Sequence, residues 1–308
     1  MRLLRHALLL ALAFPGHSQH ARFSSDVNVV SLLATVHDRN GAVVKNLTKD
    51  DFRLEEDGRP QTIRYFARES DLPLTVVLLI DTSRSMQTVF KPERIASNRF
   101  LEQVLREDRD TAAVVHFDVA VEVLQPFTSS REKLADALAQ LRIPPRPATL
   151  LYDGIKQTSE DLMRKQTGRK AFILLSDGLD VRSQTSIGTA IEYAQRADTM
   201  IYSVLFAHRF NRPGRGSRGI TIALGSRQQR GPKVMARLAQ ETGGGYFAVS
   251  EKNPIDRIYA QIEEELRNQY SIGFTPDRIE PGGLYRKLKL TTVRRGLVVR
   301  TRDGYYPK

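Results

Sequence analysis

Asp81, Ser83 and Ser85 place one carboxylate and two hydroxyls within five residues of each other. Oxygen donors of this kind suit a hard divalent cation such as Mg²⁺, Mn²⁺ or Ca²⁺. The segment just before them, residues 74–80, is apolar-rich and carries no charge. Such a run reads as a strand buried on both faces, the pattern of a parallel sheet. Ligands of open α/β sheets bind beyond the carboxyl ends of the strands, which is where this trio falls.

Two further segments make the pattern specific, and together they resemble the von Willebrand factor type A domain family. That family builds a metal-ion-dependent adhesion site from Asp-x-Ser-x-Ser, a distant Thr and a more distant Asp. Asp81, Ser83 and Ser85 match the first element. Thr149, in the stretch Pro147-Ala148-Thr149-Leu150-Leu151 ahead of a helix, matches the second. Asp177, at the end of the apolar run 171–176, matches the third. The resemblance covers residues 72–268 and implies that these five side chains hold a divalent cation, Mg²⁺ first, with Mn²⁺ and Ca²⁺ as alternatives. It implies Ser83 and Ser85 as direct ligands, and Thr149 and Asp177 as ligands directly or through water. A coordination position then stays open for water or for an Asp or Glu carboxylate on a protein partner.

The rest of the chain has to position that site. Its 308 residues, 41% of them hydrophobic, suffice for one large core or two modest ones. Between residues 72 and 268 apolar strands alternate with amphipathic helices, so the expected fold is α/β with a doubly wound, mostly parallel sheet. Strands are expected at 74–80, 111–117, 171–176 and 200–206, with 119–124 returning as an antiparallel edge. Helices are expected at 95–105, 130–141, 152–165, 187–196 and 234–241. Ile255, Ile258, Tyr259, Ile262 and Leu266 mark one face of a last helix. Residues 27–68 and 270–308 are β-like, with about three strands each, too few for independent cores. Together they are expected to form one small β-sandwich into which the α/β domain is inserted. Residues 208–231 break the pattern, with six arginines, five glycines and no acidic residue. They read as a mobile basic loop on the same sheet edge as the metal site.

Residues 1–20 have the form of a secretory signal peptide, with Arg2 and Arg5 ahead of an apolar stretch and a small-residue site around Gly16 and Ser18. The expected location is therefore periplasmic or extracellular. No later segment is long enough to span a bilayer. The absence of cysteine rules out disulfides and zinc-thiolate sites. The excess of 47 basic over 35 acidic residues, a net charge of +12, gives nonspecific attraction for polyanions. No specific nucleic-acid partner is expected.

Signs of catalysis are sparse. The six histidines have no metal-ligand spacing, and neither a G-x-S-x-G elbow nor a phosphate-binding G-x-x-x-x-G-K loop is present. Phosphotransferases with an aspartate nucleophile carry a second Asp two residues on, where this chain has Ser83. Asp153 and Asp180 lie near the ligand segments and read as helix-start and turn residues, and His116 as a core or edge residue. The expected function is a secreted, metal-dependent protein-binding module that is not an enzyme. The rivals are a metal-dependent hydrolase or phosphotransferase, and an assembly protein whose metal only stiffens its loops.

Overall fold

The computed structural model describes residues 29–69, 72–206, 218–277 and 283–307. The leader expected over residues 1–20 lies outside them. Strands β1 (Val30–His37), β2 (Phe52–Glu56), β3 (Arg59–Gln61) and β4 (Ile63–Glu69) come first. The α/β region then runs through β5 (Leu74–Asp81), α1 (Phe90–Val104), β6 (Thr111–Phe117), β7 (Val121–Thr128), α2 (Arg131–Gln140), α3 (Leu151–Asp161) and β8 (Arg169–Ser176). It continues with α4 (Ile187–Arg196), β9 (Met200–Leu205), α5 (Arg218–Thr242), β10 (Tyr246–Ala248) and α6 (Ile255–Arg267). Four strands follow: β11 (Gln269–Phe274), β12 (Arg286–Thr292), β13 (Val298–Arg300) and β14 (Gly304–Tyr305).

The central sheet has the order β10-β9-β8-β5-β6-β7, parallel throughout except for β7. From β5 the chain builds outward through β6 and β7, then crosses back to lay β8, β9 and β10 on the other side. The order therefore reverses between β5 and β8, and a crevice opens at their carboxyl ends. Every residue of β5, β8 and β9 is buried. Alternation along β5 explains why its apolar run has to be continuous. Leu74, Val76, Leu78 and Ile80 pack against α1, α2 and α6, while Val77 and Leu79 pack against α3, α4 and α5. Truncating a residue such as Leu78 to Ala would remove roughly 2–5 kcal/mol.

The two chain ends interleave. One four-stranded sheet has the order β13-β1-β11-β4 and the other β14-β12-β2-β3, so each mixes strands from both ends. Leu32 pairs with Ile272 in the first sheet and Leu54 with Leu290 in the second. Side chains from both sheets, among them Val36, Ile272, Phe52 and Leu288, share a single core. The Tyr270 hydroxyl accepts a hydrogen bond from Leu47 N at 3.1 Å and donates one to Val44 O at 2.8 Å, pinning the segment that joins β1 to β2. Eight strands form this sandwich rather than about six, because β3 and β14 are too short to leave a periodic signal.

The basic loop expected over residues 208–231 is corrected in part. Residues 218–231 belong to α5, although Pro232 lies within that helix. Residues 208–217 lie outside the described residues. Local preference there is divided, with Arg, Gln, Ala and Leu favouring helix and three glycines opposing it, and the packing of Gly231 against the Asp177 turn sides with the helix.

Candidate metal centre

Asp81 is the last residue of β5 and Ser176 the last of the neighbouring β8, and the parallel register sets Ile80 beside Leu175. This register aims the Ser176 hydroxyl at Asp81, with Ser176 Oγ donating to Asp81 Oδ2 at 2.6 Å. The same Oγ accepts from Gly178 N at 2.9 Å, so Ser176 links the Asp81 carboxylate to the turn that carries Asp177. Asp81 Oδ1 accepts from Ser83 N at 2.9 Å, which folds the chain into a tight turn before α1. Ser83 Oγ then lies 2.9 Å from Ser85 Oγ. Asp81, Ser83 and Ser85 are thereby brought together, and Asp177 joins them through Ser176.

Thr149 reaches the same edge by another route. It forms an antiparallel bridge with Val181, Thr149 N donating to Val181 O at 3.1 Å and Val181 N to Thr149 O at 2.8 Å. The Thr149 loop and the Asp177 loop are thus one backbone unit. Leu150 N donates to Asp118 O at 3.1 Å, which fastens that unit to the end of β6. Thr82, between the ligand candidates, is clasped from below. Its Oγ1 donates to Asp118 Oδ2 at 2.6 Å and lies 3.0 Å from His116 Nδ1.

The electrostatics of the corner are strained. Asp81 is fully buried, and burial followed by the negative charge of Asp177 pushes its carboxyl up to about 7. The hydrogen bonds from Ser176 and Ser83 pull the other way and do not suffice. Two carboxylates brought together in a buried corner repel unless a proton or a cation relieves them. The surrounding donors are hydroxyl and carboxylate oxygens, the set a hard divalent cation takes. Among the described residues no group of three or more His, Cys, Asp or Glu could hold a metal ion. A cation at this corner therefore depends on the hydroxyls as well as on two carboxylates.

The two other acids near the site are occupied. Asp153 accepts from Gln184 N and Thr185 N, both at 2.9 Å. Asp180 accepts from Tyr152 N at 3.3 Å and Ser183 Oγ at 2.5 Å. Both hold the loop ahead of α4, as their helix-start and turn positions suggested. Ser176 is the contributor that sequence reasoning missed, because it reads simply as the end of an apolar run. The helix α5 also touches the site: a Cβ on Gly231 would collide with the Asp177 carbonyl, and one on Gly178 with the Gly231 backbone and Met235. Gly178 also has a φ of +75°, which a side chain would strain.

Comparison with known proteins bears on the fold. Residues 76–180 match the family model of the von Willebrand factor type A domain. Among solved structures, proximal thread matrix protein 1 from the mussel byssus, with a zinc-occupied adhesion-site motif, is 12% identical with a TM-score of 0.52. That alignment covers 70% of this chain and 50% of the mussel protein. The chain thus spans about half the length of the mussel protein it matches. A von Willebrand factor type A protein from Catenulispora acidiphila is 12% identical with a TM-score of 0.51, covering 92% of this chain and 74% of the other. At such identities the likeness is one of fold. No curated protein matches the sequence.

Proposed function

Starting from a chain whose residues 76–180 belong to the von Willebrand factor type A domain family, we propose that the protein binds protein partners through a divalent cation. The observation that supports this reading is that Asp81 and Asp177 lie at the carboxyl ends of the neighbouring strands β5 and β8, linked through Ser176, with Ser83 and Ser85 alongside. Asp81, Ser83, Ser85, Thr149 and Asp177 would hold the cation, with Mg²⁺ first and Mn²⁺, Ca²⁺ or zinc as alternatives. When bound, the cation supplies an open position for an Asp or Glu carboxylate of the partner.

The chain's own residues do the rest. Asp81 is oriented from two sides, by Ser83 N and Ser176 Oγ, so it meets a cation without rearranging. Ser83 and Ser85 contribute neutral oxygens, leaving the site less neutralised than a cage of carboxylates would. The bridge between Thr149 and Val181 ties the two later loops by two backbone hydrogen bonds. No helix among the described residues is long and apolar enough to cross a membrane. We place the protein outside the cytoplasm on the signal-like composition of residues 1–20.

The test uses immobilised peptides that differ only in one exposed Asp or Asn. Binding to the Asp series in Mg²⁺, its loss in EDTA and its loss in Asp177→Ala are the expected results. Equal binding in Mg²⁺ and EDTA would overturn the proposal.

A further inference from the structure

Glu93 sits in the first turn of α1, only 2% exposed, and neither of its carboxyl oxygens has a hydrogen-bond partner among the described residues. It shares the inner face of that helix with Ala96, Ser97 and Phe100. No Lys, Arg or His among the described residues pairs with it. Backbone bonds from Glu93 N to Val89 O and from Val89 N to Met86 O, both 3.0 Å, stack its turn on the loop that carries Ser83 and Ser85. The charge of Asp81 at the end of β5 acts on it, and Tyr259 of α6, whose hydroxyl is 2.9 Å from Ser97 Oγ, feels its charge. Burial and Asp81 together raise the Glu93 carboxyl well above the usual range.

Away from the corner of Asp81 and Asp177, other buried acids among the described residues are compensated. Glu56 is paired with Arg286 at 3.3 Å and accepts from the Tyr305 hydroxyl at 2.6 Å. Glu265 is held by His37 and Arg300. Asp110 is bound by Arg106 and Arg267. Glu93 stands apart, and a buried carboxyl with nothing to bond is costly. Such groups persist where an ion or water satisfies them in the working state. The acid nearest in influence is a proposed cation ligand, so the same ion would relieve both.

We propose that Glu93 is a positioning residue of the metal centre, one layer behind Asp81, accepting a hydrogen bond from water between itself and the site and adding a third negative charge. This inference rests on the metal reading of the preceding section. Glu93 does not complete a three-acid ligand cluster with Asp81 and Asp177, so it acts through water and charge rather than by direct coordination. Its charge is what a divalent ion gains from and a monovalent ion gains less from, which ties the residue to ion selectivity.

The experiment measures Mg²⁺ affinity by calorimetry on the full chain at one pH, together with the melting temperature in EDTA. Glu93→Gln keeps the size and removes the charge; Glu93→Met removes the polar atoms at similar volume. Both should weaken Mg²⁺ binding by roughly ten- to a hundredfold, the range found when outer-layer partners of metal ligands are removed. Both should melt at or above the wild-type temperature in EDTA, because a buried uncompensated acid is gone. A merely structural glutamate would give the reverse: lower metal-free melting and unchanged affinity. Wild-type binding with unchanged affinity in both variants overturns this inference alone. No Mg²⁺ or Mn²⁺ binding by the wild type overturns the metal reading and this inference with it.

Discussion

His37 Nε2 lies 3.0 Å from Glu265 Oε1, joining the first strand of the sandwich to the last helix of the α/β region. Arg300 Nη1, from β13, reaches the same oxygen at 2.9 Å. Glu265 is buried, so one carboxylate gathers basic side chains from both chain ends onto α6. The sandwich and the α/β region therefore share a polar joint as well as a peptide link.

Removing that carboxylate should be costly. Glu265→Ala leaves the His37 ring nitrogen and the Arg300 guanidinium without their shared acceptor. The expected loss is about 1–3 kcal/mol of stability, less than for a fully buried pair because Arg300 stays partly in water. Chemical denaturation of Glu265→Ala, Arg300→Ala and the double variant checks it. The two losses should add to more than the double variant shows.

The interleaved sheets predict an unequal response to truncation. Deleting residues 270–308 removes β11 through β14, leaving β1 without β11 and β2 without β12. Residues 27–68 should then be cleaved rapidly in limited proteolysis, while residues 72–268 persist. Unchanged resistance of the N-terminal strands would show that they fold by themselves.

Stability without metal should depend on pH through Asp81. Burial and Asp177 raise its carboxyl from the ordinary 3.8 to about 7 in the folded state. The folded chain thus holds this proton more tightly than the unfolded chain, and stability falls as pH rises from about 4 towards 7. Glu93 shifts in the same direction. In EDTA, Asp81→Asn should flatten that fall by an amount on the order of a few kcal/mol. Parallel melting curves for the two proteins from pH 4 to 7 would contradict it.

The contact between Gly178 and Gly231 predicts a coupling of α5 to the site. Gly178→Ala puts a methyl group against the Gly231 backbone at a positive φ, and should lower stability by about 1–3 kcal/mol. Because Asp177 is the adjacent residue, Mg²⁺ affinity should fall too. Gly188→Ala, within α4 where a Cβ meets only the Ser186 hydroxyl at 3.8 Å, is the control: it should leave Mg²⁺ affinity unchanged and hold or slightly raise stability, by up to about 1 kcal/mol.

Much of the architecture was legible from residue patterns because its strands are buried on both faces. Strand 111–117 and helix 187–196 agree with their expected bounds to the residue. Ser130 and Ser186 cap α2 and α4 through their hydroxyls, a local signal that survives folding. Features that depend on register were not legible. That Ser176 points at Asp81 follows from how β8 lies against β5, which no single segment encodes. Glu93 was not legible either, because the helix was expected only from residue 95, whereas α1 begins at Phe90 and carries Glu93 in its first turn. The start of α5 was obscured because its glycines and Pro232 argue locally for a loop, while packing against the Asp177 turn argues for helix.

The pairing of β1 with β11 also sets an order of events during synthesis. β1 leaves the ribosome before any of the α/β region exists, and its main partner follows only after α6. Closing so long a loop is slow, whereas the α/β region can assemble from neighbouring elements as they emerge. The strand Val30–His37 therefore waits, its apolar face unpaired, until α6 presents Glu265 to His37 and β11 to Leu32. A chain that ends before β11 therefore keeps the edge of β1 open, an edge prone to pairing with another chain.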